Sequence, residues 1–203
     1  MRSLSEIDTI SRRALRAKGF SWGISEEIGK SVKQLELFGL PGLKNLNQYL
    51  RIYEQNKFQQ IKLISKTNIS DNKLYCPISS GVGFLDQIKS LEKLNSIEFN
   101  KIAYPILFLS FVSRASEVLG KKILIKMDEK EFILNFNQSI FGNYSKNLIW
   151  ENANVVLINF LENNNSFSEQ DWKEMTKFAN QTFVDESDEL KEKSAGAGLT
   201  DND

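Results

Sequence analysis

Polar side chains interrupt the most apolar stretch of the chain, PILFLSFVSRASEVLG, which begins at Pro105 and ends at Gly120. Ser110, Arg114 and Glu117 are spaced at i, i+4 and i+7, so a helix places them on one face. If that face lines a cavity, Arg114 can donate two hydrogen bonds to a carboxylate or phosphate while Glu117 orients it. The alternative is the solvent-facing end of a helix with an ordinary Arg–Glu pair. The sequence leaves both interpretations open.

A second candidate is the segment CPISSGVG, in which Cys76 comes shortly before Ser80 and two glycines. A thiol becomes a nucleophile where a cation or a helix N-terminus favours its thiolate form. Alternatively, Cys76 packs in the core, as free cysteines commonly do. The glycine spacing matches neither a P-loop nor a dinucleotide fingerprint, so the segment does not indicate a nucleotide site.

Trp22 follows the segment GFS at the start of a second predicted helix. It is a candidate ligand contact, and the alternative is an anchor in the core or between domains. Glu26 and Glu27 are negatively charged, and the dipole at a helix N-terminus favours negative charge.

The candidate tail segment in SAGAGLTDND is Thr200, Asp201, Asn202 and Asp203. Asp201, Asn202, Asp203 and the terminal carboxylate carry oxygen ligands of the type that hard cations prefer. Such groups on a flexible chain bind weakly unless a folded partner supplies further ligands. The tail is therefore either disordered or docked on the surface, or it completes a site or grips a partner. No metal site is assigned.

The composition excludes several kinds of catalytic site. The 203 residues include no histidine and one cysteine. Without histidine there is no Ser-His or Cys-His nucleophile pair and no His-ligated metal. One cysteine forms neither an internal disulfide nor a cysteine-cluster zinc site. Any catalysis must depend on carboxylates, Lys, Tyr, Arg, Cys76 or a cofactor that the sequence does not identify.

The charge distribution limits the classes of partner. Twenty-six basic residues balance 26 acidic ones, without the basic cluster that nucleic-acid binding needs. The N-terminus has no apolar signal-peptide segment, and the longest apolar run, residues 102–112, is shorter than the ~20 residues that cross a bilayer. We therefore expect a soluble, cytoplasmic protein that binds neither nucleic acid nor a membrane.

Apolar residues at helical spacing predict three helices in the first quarter of the chain. Ser3 and Glu6 have the spacing of a capping box before the first helix. The second is expected from about Ile24 to Gly39, and Pro41 then opens the third. Short turns join them, which predicts closely packed neighbours.

After residue 57 the sequence favours strands separated by turn residues. NKLYCPISSGVGF indicates a strand followed by an irregular loop. KKILIKM and KEFILNFN predict a hairpin with Ile123, Ile125 and Met127 on one face. ANVVLINFLE predicts a strand buried on both faces. The helix from Pro105 is expected to cross the core, and Ser168 with Asp171 is expected to cap a last helix.

These elements predict an α+β fold, in which an N-terminal three-helix unit packs on a domain with a small, mostly antiparallel sheet and two further helices. The predicted boundaries are residues 1–56 for the helical unit, 57–184 for the α+β core and 185–203 for an extended tail. Together they are expected to form one compact domain.

Three stretches together resemble a known family: SLSEIDTISRRALRAKGFSWGISEEIGKSVKQLELFGLPGL, CPISSGVG and SAGAGLTDND. The chain resembles, over its whole length, a bacterial, mainly alphaproteobacterial, family of unknown function, and GAGLTDND is the most specific part of the likeness. The resemblance implies that the tail belongs to the natural protein and has an ordered role. It implies no activity.

The sequence favours a small-molecule-binding or accessory subunit of a metabolic enzyme, with a small-molecule ligand and a protein partner or a second copy of the chain. The alternative is a small histidine-free enzyme that uses Arg114, Glu117 and Cys76, with the C-terminal tail closing its site. A structural oligomer component would instead show a broad apolar surface near Phe183 or along the first helices.

Overall fold

A computed structural model of the chain describes residues 2–54, 57–145 and 149–183. The chain divides into two compact units, Met1–Asn163 and Asn164–Asp203. The helices of the first unit are α1 (Leu4–Ala17), α2 (Trp22–Leu37), α3 (Gly42–Ile52), α4 (Pro77–Leu91) and α5 (Pro105–Leu119). Its strands are β1 (Thr67–Asn68), β2 (Ser96–Ala103), β3 (Ile123–Met127), β4 (Lys130–Asn135), β5 (Ser139–Gly142) and β6 (Asn152–Phe160).

The three predicted N-terminal helices are confirmed. Ser3 and Glu6 form the expected capping box before α1, because each side chain accepts a hydrogen bond from the backbone N–H of the other residue. Helix α2 begins two residues earlier than the predicted Ile24, because Ser21 is its N-cap. It ends before Gly39, whose φ of 73° is readily accessible to glycine.

The segment after Tyr75 is helix α4, so the predicted strand and irregular loop are wrong there. Cys76 is the N-cap, and its sulfur accepts a hydrogen bond from the Ser79 N–H at 3.5 Å. Pro77 occupies the first helical turn, where its missing N–H costs nothing. The glycines that favoured a loop, Gly81 and Gly83, lie inside the helix.

The six strands form one mixed sheet in the order β1-β2-β6-β3-β4-β5. Strand β1 is parallel to β2, and all other neighbours are antiparallel. The predicted β3–β4 hairpin is confirmed, and Ile123, Ile125 and Met127 are buried on one face, as predicted.

Helix α5 lies at the centre of the first unit and packs on α4, α2 and α3 as well as on β3 and β4. Its residues from Pro105 to Ser113 are all buried. The ring of Phe108 contacts Phe84 of α4 and Phe99 of β2, with centroids 5.9 and 5.5 Å away. The predicted core helix is therefore confirmed.

Strand β6 is buried on one face, so the prediction that both faces are buried is wrong. Val156 and Ile158 face the helices, whereas Val155 is 48% exposed. The helices of this unit cover one face of the sheet, and Ile133 and Phe141 are also exposed on the strands beyond β3. An unbroken run of Val and Ile does not show whether a second layer covers a strand.

The second unit is described over residues 164–183 and contains α6 (Glu169–Asn180). Ser168 and Asp171 form the predicted capping box, which confirms this helix. Trp172, Met175 and Phe178 share one face by their spacing. The tail residues Thr200, Asp201, Asn202 and Asp203 lie outside the described residues, so their role stays a prediction.

The fold is α+β, as predicted, and the N-terminal helices precede the sheet. Three helices follow the N-terminal unit in the described part of the chain, one more than predicted, because α4 takes the place of a loop. Among the described residues there is no helix long and apolar enough to span a membrane.

Candidate functional site

A cleft of about 310 Å³ lies between α2, α5 and the turn that joins β4 and β5. Helix α2 supplies most of its lining, α5 contributes Arg114, and the turn contributes Asn137. The lining residues are Lys30, Lys33, Gln34, Leu37, Phe38, Arg114 and Asn137.

The guanidinium of Arg114 contacts the carboxylate of Glu27 on α2, with Nη1 2.5 Å from Oε2. The buried Nη1 is therefore ion-paired to a carboxylate of the neighbouring helix. Sequence reasoning assigned the orienting role to Glu117, whereas Glu27 is the carboxylate that the structure places against Arg114.

Glu27 links two cations, because its other oxygen lies 3.1 Å from Nζ of Lys30. Partial burial raises the pKa of Glu27, but hydrogen bonds from Arg114 and Lys30 together lower it further, so the pKa lies below its ordinary value. Glu27 is therefore a carboxylate at neutral pH and a weak base. It was expected only to complement the dipole of its helix, and it lies outside the first turn of α2.

The side chain of Asn137, in the β4–β5 turn, forms hydrogen bonds with residues of both α2 and α5. Its Nδ2 donates to Oε2 of Glu117 at 2.9 Å, and its Oδ1 accepts from Oγ of Ser113 at 3.2 Å and from the amide of Gln34. Phe136 and Asn137 have φ values of 50° and 60°, which is unusual for a bulky residue such as phenylalanine. This left-handed turn brings the Asn137 amide to the cleft, where Glu117 holds it.

The cleft carries an excess of positive charge. Lys30, Lys33 and Arg114 are cations, and Glu27 is the carboxylate that pairs with two of them. Lys33 has no ion-pair or hydrogen-bond partner within the described ranges. An unpaired ammonium beside a guanidinium favours an anion with carboxylate or phosphate oxygens.

Ser110 and Trp22, two of the four predicted site residues that lie away from this cleft, have structural environments of their own. Ser110 is fully buried, and its hydroxyl donates to the Leu107 carbonyl at 3.0 Å within α5. Trp22 is 68% exposed, so it is not a core anchor, and the Arg16 guanidinium lies 4.5 Å from the centre of its ring. Neither residue lines the cleft.

Cys76 and Ser80 lie on another part of the first unit, at the start of α4. Cys76 is buried, and its sulfur is 3.2 Å from the hydroxyl of Tyr49 on α3. The Ser80 hydroxyl is buried without a hydrogen-bond partner in the described part of the chain. Neither side chain lines the Arg114 cleft, so the structure does not bring the thiol and the guanidinium together.

We expect Tyr49 to make the protein less stable at alkaline pH. Burial, and then the adjacent Cys76, raise the pKa of Tyr49 above its ordinary value. The unfolded chain loses this proton near pH ~10 while the folded chain keeps it, so stability falls above that pH by about 1.4 kcal/mol per pH unit. We expect Tyr49→Phe to reduce this slope in urea unfolding measured across the alkaline range. Equal slopes in Tyr49→Phe and the unaltered protein would contradict the assignment of this pH dependence to Tyr49. Tyr53 is less buried than Tyr49, so Tyr53→Phe is the matched control and should reduce the slope less.

The sequence analysis missed the residues that α2 contributes. Glu27, Lys30 and Gln34 are spaced at i, i+3 and i+7, which places them on one face beside the apolar stripe. That spacing is visible in the sequence, but it does not indicate which helix the face meets. Asn137 had no comparable signal, because it was predicted as the last residue of the strand KEFILNFN.

Residues 2–75 match the model of a family described as a protein of unknown function, DUF3726. This confirms the resemblance to a family of unknown function over a segment that spans α1 to α3. None of the curated proteins and none of the solved structures matches the chain. The α2 side of the cleft lies within the matched segment, and Arg114 and Asn137 lie outside it.

Proposed function

We propose that the protein binds a small metabolite with a carboxylate or phosphate group in the cleft between α2 and α5, and acts as a binding or accessory subunit beside a metabolic enzyme. The observation that carries the proposal is the excess of positive charge at the cleft, where Arg114 and Lys30 share the carboxylate of Glu27 and Lys33 has no ion-pair partner among the described residues. An oxyanion placed there would gain charge-assisted contacts from the Lys33 ammonium and the Arg114 guanidinium.

The other groups of the cleft support the same kind of ligand. Lys33 can approach a second oxygen of the anion, and its ammonium forms no internal ion pair among the described residues that would have to break first. The volume of about 310 Å³ is at the lower end of the range for ligand pockets, which favours a small metabolite.

The lining also favours binding over catalysis. Lysine, arginine and amide side chains can hold an anion, whereas the carboxylate beside them, Glu27, is already ion-paired and has a lowered pKa. A histidine-free enzyme would need Cys76 near Arg114 and Glu117. Cys76 instead packs against Tyr49 in the core.

The test is a titration of the full chain with two probes, inorganic phosphate and succinate, followed by amide chemical shifts and calorimetry. We expect the shifts to concentrate on α2 and the β4–β5 turn with at least one probe. Arg114→Gln should weaken that binding at least about tenfold, because a charge-assisted hydrogen bond is worth about 1.5–3 kcal/mol.

Arg51→Gln is the matched control, since it removes an exposed arginine from the end of α3 and should leave the affinity unchanged. Thermal melting of both variants would show that each is folded. The proposal fails if neither probe shifts the cleft, or if Arg114→Gln binds as tightly as the unaltered protein.

A further inference from the structure

The side chains that line the Arg114 cleft are sorted by polarity along α2. Lys30, Lys33 and Gln34 come first, and Leu37 and the C-cap residue Phe38 follow at the end of the helix. Lys33 and Leu37 are spaced at i and i+4, so they share one face and lie about 6 Å apart along the helix axis. The wall that α2 forms is therefore cationic at one end and apolar at the other.

The apolar end combines an exposed side chain with a fixed one. Leu37 is 60% exposed although it lines a cleft, so much of its apolar surface is in contact with water. Phe38 packs against the core of the first unit, and its carbonyl accepts a hydrogen bond from the Tyr144 hydroxyl at 3.1 Å. An apolar group of a ligand that covers both side chains removes their surface from water without moving Phe38.

The charges of the other end favour a ligand with a single negative charge. Lys30, Lys33 and Arg114 are the cations of the lining. Glu27 pairs with two of them, and the Glu117 carboxylate lies 2.9 Å from the amide of the β4–β5 turn, beside the cleft. Three cations next to two carboxylates leave an excess of one positive charge. A monocarboxylate balances that excess, whereas a dianion adds a second negative charge that the cleft does not balance.

We propose that the ligand of the cleft is a short monocarboxylate with an apolar tail, whose carboxylate lies between Lys33 and Arg114 and whose tail covers Leu37 and Phe38. This inference rests on the proposed function, because it names the ligand class of the same cleft. A dicarboxylate of the same length would place its second charge beside the two apolar side chains. That charge would lose hydration there without gaining an ionic partner from the lining.

The experiment titrates the full chain with acetate, hexanoate and adipate, followed by amide chemical shifts and calorimetry. Acetate has the carboxylate without the tail, and adipate has the chain length of hexanoate with a second carboxylate. We expect hexanoate to bind at least about tenfold more tightly than either, because each buried methylene of the tail adds to the affinity. The shifts should lie on α2 and the β4–β5 turn.

Leu37→Ser tests the apolar end without changing a charge. It should remove most of the advantage of hexanoate over acetate and leave the affinity for acetate unchanged. The matched control is Leu63→Ser, which removes a leucine that is 79% exposed and does not line the cleft. It should leave the ratio of the two affinities unchanged, and thermal melting would show that both variants are folded.

Hexanoate that binds no more tightly than acetate or adipate would overturn the inference, and so would an unchanged affinity ratio in Leu37→Ser. Shifts from hexanoate that are confined to the separate apolar cavities between α1 and α3, which Ile10 and Leu43 line, would also overturn it. In each of these cases, binding of phosphate or succinate in the Arg114 cleft would still support the proposed function. If no anion shifts α2 or the turn, both proposals fail.

Discussion

Replacing Gly81 with alanine is expected to lower the free energy of unfolding by about 2 kcal/mol, because over-packing costs up to about 3 kcal/mol and the gain in helix propensity returns about 1. A Cβ on Gly81 would lie 2.2 Å from Cδ2 of Phe111. Phe111 is completely buried in α5, so its ring has no space into which it can move. The two helices would have to separate along their contact.

Gly83 provides the control for this prediction within the same helix. A Cβ on Gly83 would lie 3.5 Å from Nε2 of Gln87, which is an ordinary contact. Gly83→Ala is therefore expected to be neutral or to stabilise the protein by up to about 1 kcal/mol. Urea unfolding followed by circular dichroism measures both variants. Equal effects of the two substitutions would contradict a close α4–α5 contact at Gly81.

The same glycine explains why α4 was not predicted. In the sequence, two glycines close together favour a loop because each lowers helix propensity. In the structure, the lack of a side chain at Gly81 allows α4 to approach Phe111, a residue 30 positions later. The packing of the two helices outweighs the propensity of the segment, and that packing is not visible in the local sequence.

Elements whose signals are local could be predicted well. The capping boxes at Ser3 and Ser168 need only residues three positions away, and both form as expected. The β3–β4 hairpin depends on alternation and on a short turn, so its existence and the shared face of Ile123, Ile125 and Met127 also followed from the sequence. The burial of β6 did not, because it depends on whether a second layer covers the sheet.

In the candidate site, too, features with a local sequence signal could be predicted, whereas contacts between distant segments could not. Arg114 and Glu117 were placed on one helix face from their spacing, and both lie beside the cleft. Their partners were not predictable, because Glu27 comes from α2, and Asn137 contacts Gln34 across 103 positions in the sequence. Such contacts depend on how α2, α5 and the sheet pack together.

Helix α5 serves both the core and the candidate site, with its first half in the core and its last turns at the cleft. A substitution in the buried half of α5 should therefore lower the stability of the fold while it leaves the side chains that face the cleft unchanged. Phe108 is in the buried half, and Arg114 follows it by six positions. This separation provides a comparison between folding and binding on one helix.

Phe108→Ala is expected to lower the free energy of unfolding by about 4 kcal/mol, since a buried phenylalanine replaced by alanine costs about 3–5 kcal/mol. Phe108 is fully buried between Phe84 of α4 and Phe99 of β2, so its removal leaves a cavity where both rings lose their contact. Phe141→Ala, at a side chain that is 61% exposed, is the matched control and should change stability by less than about 0.5 kcal/mol. Urea unfolding measures both. A loss of less than about 2 kcal/mol at Phe108, below the usual range for such a truncation, would show that α5 is not the centre of the core.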